Sequence, residues 1–205
     1  MSHGVLPKEI ADGTRFGLAP IARALHRLGV SANAITLFGL LITLTGCALV
    51  ALEAPLAALV VLLVGTLSDT LDGELARASG GGTRFGAFLD STVDRVADAA
   101  LFGAAASVGA TRPDAVLLWA ALVGLVASFL VSYVRAKAEA IGTSANVGLA
   151  PREARLTILL IGVGAWGVFG ALWLFVAAVS LVALLSSITL LQRIAVVSRA
   201  LGTSK

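Results

Sequence analysis

Apolar residues run along this chain in long uninterrupted blocks, broken only by short polar stretches. The blocks Asn33 to Leu52, Pro55 to Ala78, Arg84 to Val108, Pro113 to Ile141, Arg155 to Val168 and Leu172 to Val197 read as six helices. A hydrocarbon core about 30 Å thick takes roughly 20 helical residues to cross. The alternation that a lipid-facing strand requires is absent, so a barrel is excluded. Several blocks exceed the bilayer thickness, which predicts tilt or extension beyond the membrane. Ahead of them, Gly17 to Leu28 interleaves Leu18, Ile21, Ala24, Leu25 and Leu28 with Arg23, His26 and Arg27, the pattern of an amphipathic helix lying on a membrane face.

Composition agrees with this pattern. Of 205 residues, 58% are hydrophobic and 13% charged, and the mean hydropathy is +0.97, more apolar surface than a soluble domain of this size can bury. The predicted fold class is an all-α integral membrane protein with six transmembrane helices and an N-terminal amphipathic surface helix. It forms one membrane domain over 1–205, with 1–31 a cytoplasmic segment and 32–200 the bundle. The first residues, MSHGVLPKEIADGTRFG, lack the basic, apolar and cleavage-site order of a signal peptide and are expected to be retained.

Charge then sets orientation. Arg15, Arg23, Arg27, Arg77, Arg84, Arg135, Lys137, Arg152, Arg155, Arg193, Arg199 and Lys205 all fall on one side of a six-span arrangement, with little more than Arg112 opposite. The positive-inside rule puts both termini in the cytoplasm, as expected of a multi-pass cell-membrane protein. Trp119, Trp166 and Trp173 then sit near the outer boundary as an aromatic belt. The net charge of +3 flanks the spans instead of forming one patch. It therefore predicts contact with anionic membrane lipids and no nucleic-acid role. The single cysteine, Cys47, lies within a span and forms no internal disulfide. His3 and His26 have no metal-ligand spacing and are expected at the surface.

The stretch from Asp69 to Asp94, DTLDGELARASGGGTRFGAFLDSTVD, breaks the apolar pattern with four aspartates. Carboxylates in a lipid-embedded segment are costly and usually functional. Ser79, Gly80, Gly81, Gly82 and Thr83 form a tight turn between two helices, so Asp69 and Asp72 come level with Asp90 and Asp94 at about 1.5 Å per residue. At roughly 100° per residue, Asp69 and Asp72 lie about 60° apart and Asp90 and Asp94 about 40° apart. Each pair therefore shares a face. Gly73, Ala76 and Gly86 lie beside them and leave room for a ligand. Converging carboxylates repel unless cations hold them. Oxygen ligands without His or Cys point to Mg²⁺, with Mn²⁺ or Ca²⁺ as options, and to a dimetal site for phosphoryl transfer in which one carboxylate takes a proton from the attacking hydroxyl. The bland alternatives are an ion pathway, as in an ion-coupled transporter, or structural pairing with Arg77, Arg84 and Arg95. Glu74 points about 140° from Asp69 and is not expected to be a ligand.

Asp69, Asp72, Gly73, Ala76, Arg77, Gly86, Asp90 and Asp94 fit DxxDGxxAR(x)8GxxxDxxxD at every fixed position. This resembles the signature of the CDP-alcohol phosphatidyltransferases, membrane enzymes that move a phosphatidyl group from a CDP-linked lipid to an alcohol and release CMP. The resemblance implies that Asp69, Asp72, Asp90 and Asp94 bind two Mg²⁺ ions and that Asp94 is also the catalytic base. It further implies that Ala32, Asn33, Ala34, Ile35, Gly73, Arg77 and Thr83 contact CDP-diacylglycerol. Thr83 also suits a helix cap, and the 32–35 stretch opens a helix whose free amides suit phosphate.

The acceptor side is similar to the family's actinobacterial phosphatidylinositol phosphate synthase subgroup. The similarity lies in LGVS before the first span, in FGAFLDSTVDRVADAALFG, and in Ser132 with the basic residues Arg135, Lys137, Arg152, Arg155 and Arg193. An acceptor carrying phosphate needs such charge-assisted donors. That subgroup implies inositol phosphate as acceptor, with glycerol phosphate the rival, and a homodimer. One departure is Pro151, where members of the subgroup often carry an acidic residue before Arg152. Glycines at 162, 164, 167 and 170, and at 39 and 46, predict close helix packing.

Overall fold

The computed structural model describes residues 8–202, with side chains from residue 18 onward. Residues 1–7, His3 among them, and Lys205 lie outside it, as does the side chain of Arg15. Seven helices follow one another among the described residues: α1 Lys8–Arg27, α2 Ala32–Ala51, α3 Pro55–Ala78, α4 Arg84–Thr111, α5 Ala115–Ala140, α6 Arg152–Phe169 and α7 Leu172–Gly202. Local chemistry sets several of these ends. Ser31 caps α2 by accepting from the Ala34 amide at 3.2 Å, Pro55 occupies the first turn of α3 and Asp114 caps α5 by accepting from the Leu117 amide at 2.9 Å. The surface helix begins earlier than Gly17, at Lys8, and continues through Pro20.

Four helices, α2, α3, α5 and α7, are long and apolar enough to cross a membrane, and only 22–33% of their most apolar segments is buried within the protein. The rest is left for lipid. Phe38, Leu41, Val60, Phe129 and Leu184 are all exposed, an inside-out pattern that water would not tolerate. The remaining two predicted spans carry more charge: α4 holds Arg84, Asp90, Asp94, Arg95 and Asp98, and α6 holds Arg152, Glu153 and Arg155.

The chain divides within α4 into two compact units, one ending at Leu101 and the other beginning at Phe102. In the first, α2 packs on α3 where side chains are smallest. A β-carbon on Gly39 would lie 2.9 Å from Ser68 Cβ, one on Gly46 would lie 2.7 Å from Leu62 Cγ, and one on Gly65 would overlap Thr43. Both glycines expected to mediate packing in α2 do so inside the monomer. Helix α1 packs on α3, and its Ala22 is buried. In the second unit, α5 and α6 pack on α7 around Phe175, Leu117, Val163, Val179 and Val182. Gly162 admits Ala178 at 2.5 Å from where its β-carbon would be. Trp166 departs from the expected aromatic belt. It is buried and stacks on Phe175 with centroids 5.6 Å apart, whereas Trp119 and Trp173 are exposed. Its place on the inward face of α6 explains the difference.

Candidate active site

Three helix ends and a turn build the site of the first unit. The turn 79–83 reverses the chain between α3 and α4, and Gly80 (φ 91°) and Gly81 (φ 115°) adopt backbone that other residues rarely reach. The Gly81 amide donates to Ala76 O at 3.0 Å, closing the end of α3. Thr83 accepts from the Gly86 amide at 2.9 Å, opening α4 as the predicted cap. Ser79 Oγ donates to Leu75 O at 2.7 Å and lies 3.2 Å from His26 Nδ1 of α1. His26 is exposed, as expected, and touches the rim of the site.

This hairpin brings Asp69 and Asp72 of α3 to Asp90 of α4, with one ligand oxygen from each lying within 4.8 Å of the others. Asp72 is buried, while Asp69 and Asp90 are exposed. An all-carboxylate donor set at this separation fits a hard divalent cation. Asp94 lies one turn beyond Asp90, outside the trio, with Arg95 Nη1 3.7 Å from its Oδ2. Beside the trio opens a cleft of about 520 Å³ lined by Ala32, Asn33, Thr36, Gly73, Ala76, Ser79, Gly81, Gly82, Thr83 and Gly86, as well as by the three aspartates. A β-carbon on Gly73 would meet only Arg77 Nη2, at 3.8 Å, and so would project into open space. One on Gly86 would lie 3.1 Å from Thr83 Oγ1 and 3.2 Å from Asn33 Oδ1. The small residues of the motif therefore keep the cleft open.

Of the nucleotide contacts expected from sequence, Ala32, Asn33, Gly73 and Thr83 line the cleft, and Ala34, Ile35 and Arg77 do not. Four consecutive helical residues cannot share one face at roughly 100° per residue. The Ala34 amide is moreover taken up by Ser31 Oγ, and the Ile35 amide by Ser31 O at 3.3 Å. Arg77 reaches along its own helix to Glu74, with Nη2 to Oε1 at 2.5 Å. The sequence reading missed Thr36, which lines the cleft and donates from Oγ1 to Asp72 Oδ2 at 2.6 Å. The available signal was positional, because Thr36 lies about 40° from Ala32 around α2.

The basic residues expected at the acceptor side lie in the second unit. Arg155 is buried at 5% exposure, and Arg135, Arg155 and Glu139 are close enough to Arg193 to act on its charge. Arg193 donates from Nη1 to Val131 O at 2.7 Å and from Nε to Val147 O at 2.9 Å. Arg135 pairs with Glu139 at 3.0 Å. Ser132 donates to Ser128 O at 3.4 Å. Lys137 lies exposed in the last turn of α5, and Arg152 begins α6 directly after Pro151. The loop between α5 and α6 is tied down by Thr189, whose Oγ1 accepts from the Leu149 and Ala150 amides at 3.2 and 3.4 Å.

The chain is 38% identical over 170 residues to the phosphatidylinositol phosphate synthase of Corynebacterium glutamicum, covering 81% of this chain and 74% of that one. It resembles the crystal structure of Mycobacterium tuberculosis phosphatidylinositol phosphate synthase with CDP-DAG bound, at 36% identity and a TM-score of 0.83 over 88% of this chain and 93% of that one. It also resembles the same synthase in complex with manganese and citrate, at 37% identity and a TM-score of 0.81 over 88% of each chain. The transporter reading of the aspartates falls away, since these relatives are synthases. With residues 29–188 matching the family profile as well, the chain belongs to the CDP-alcohol phosphatidyltransferases and is a multi-pass membrane enzyme of that class.

Proposed function

We propose that this enzyme transfers the phosphatidyl group of CDP-diacylglycerol to inositol phosphate, giving phosphatidylinositol phosphate and CMP. The observation that carries the reading is the convergence of Asp69, Asp72 and Asp90 at the wall of the small-residue cleft. These three and Asp94 would hold two Mg²⁺ ions, or Mn²⁺ in their place. Bound there, the cations would offset the charge of a pyrophosphate and of the departing CMP phosphate. The open space over Gly73, and the walls formed by Ala32, Asn33 and Thr83, suit the cytidine diphosphate part of the donor. Arg77 contributes by exchanging Glu74 for a donor phosphate.

Asp94 acts as base. It accepts the proton of the acceptor hydroxyl as that oxygen bonds to the β-phosphorus next to diacylglycerol, while the bond from that phosphorus to the CMP phosphate oxygen breaks. Arg155, Arg193, Arg135, Arg152, Lys137 and Ser132 bind the acceptor phosphate, and the buried guanidinium of Arg155 is the strongest of these donors. The name of the Corynebacterium glutamicum relative supports inositol phosphate over glycerol phosphate. The enzyme works as a homodimer in the cell membrane, with α4 and α6 completing six spans and both termini in the cytoplasm.

Purified protein incubated with CDP-diacylglycerol, Mg²⁺ and one acceptor at a time tests this reading through the CMP released. Inositol phosphate should support release, and inositol, glycerol phosphate and serine should not. Equal release with glycerol phosphate would overturn the acceptor assignment.

A further inference from the structure

Hydroxyl side chains in these helices share a habit, and Thr36 departs from it. Thr45 donates to Leu41 O at 2.9 Å, Thr66 to Leu62 O at 3.0 Å and Ser68 to Val64 O at 3.1 Å, each satisfying its hydroxyl on the carbonyl four residues back. Thr36 is within reach of Ala32 O too, at 3.1 Å, but its Oγ1 lies 2.6 Å from Asp72 Oδ2 on the neighbouring helix. A hydroxyl has one proton to give, and an ionised carboxylate at the shorter distance is the stronger acceptor. Both residues are 8% exposed, so water competes little for the bond.

We infer that Thr36 is a positioning residue for the metal site, holding the Asp72 carboxylate so that its orientation is set before a cation arrives. This inference rests on the reading of Asp72 as a cation ligand. A carboxylate on a single side chain can turn about its last bond, and one donor fixed on a second, tightly packed helix removes that freedom. The packing is close: Gly39, one turn along α2 from Thr36, admits Ser68, one turn before Asp72 on α3. The α2–α3 contact thereby delivers the donor to the ligand. Outer-shell partners of this kind set ligand orientation in many metal sites, and their loss typically weakens metal affinity by roughly 10- to 100-fold.

The test uses full-length protein in detergent, without lipid substrate, titrated with Mn²⁺ while free Mn²⁺ is followed by electron paramagnetic resonance. Thr36→Ser keeps the hydroxyl and should bind as the parent does, whereas Thr36→Val should bind roughly 10- to 100-fold more weakly. Thr36→Cys, close in shape but only a weak donor, carries the same comparison if the valine variant does not fold. Parental affinity in the folded Val or Cys variant would overturn the inference, as would equal weakening in Thr36→Ser. Asp72→Asn separates the two levels of argument: parental affinity there would remove Asp72 from the metal site and overturn the site itself, with Thr36 following.

Discussion

The cleft of the first unit and the basic end of the second use polar residues in opposite ways. In the cleft, Thr83 is occupied at its cap and Thr36 at Asp72, while the three aspartates and the bare backbone around Gly73, Gly81 and Gly82 face open space. In the second unit the side chains themselves tie the protein together. Arg193 binds two main-chain carbonyls, Thr189 holds two loop amides, and Arg135 is paired with Glu139. An acidic cluster with cleared space around it already resembles a ligand site. A basic cluster divides its donors between architecture and ligand, and residue type alone does not say which donor does which.

Substitutions can break that contrast, and the largest effect is expected in the first unit. Asp94→Asn should lower CMP release by roughly 10²- to 10⁴-fold, the usual worth of a positioned base, while nucleotide binding followed by calorimetry persists. Full activity in that variant would remove Asp94 as base. In the second unit, Arg155→Ala should raise the acceptor KM by roughly 10- to 100-fold, the value of one or two charge-assisted hydrogen bonds, and leave the CDP-diacylglycerol KM nearly unchanged. Arg193→Ala sharpens the point. If it lowers the melting temperature without moving the acceptor KM, Arg193 belongs to the architecture alone.

Smaller effects separate ligand space from packing space inside the first unit. Gly73→Ala adds a methyl group that touches only Arg77, so thermal stability should hold while the CDP-diacylglycerol KM rises. Gly46→Ala drives a methyl into Leu62 and should cost about 1–3 kcal/mol of stability by overpacking, with KM unchanged in the protein that remains folded. The reverse pattern would show that the cleft is not the donor site.

Much of this arrangement could be read from the residues. The bounds of α3 coincide with the apolar block Pro55 to Ala78, because proline starts it and a glycine turn stops it. The approach of Asp90 to Asp69 and Asp72 followed from the short turn between α3 and α4, whereas Asp94, expected level with them, lies a turn further along. Individual facings were less legible. The sequence presents the stretch 32–35 as a unit, but a helix turns its neighbours in different directions, and the next cleft-facing position after Asn33 is Thr36, one turn on from Ala32. Depth along the chain places Trp166 at the membrane boundary, but its direction around α6 turns it inward onto Phe175. The roles of Arg193 and Thr189 depend on loop carbonyls and amides that no side-chain pattern reveals.

The trio of carboxylates also has a mechanical meaning. Asp69 and Asp72 hang from α3 and Asp90 from α4, and the two helices are joined by a turn of three successive glycines. Any cation gripped by all three is a strut across a hinge. By mass action, a ligand at 100 times its dissociation constant favours the closed, folded form by about 2.7 kcal/mol. The melting temperature of the protein should therefore climb with divalent cation concentration, and Asp90→Asn should flatten that climb. Cation supply would then govern how long the enzyme survives in the membrane as well as how fast it turns over.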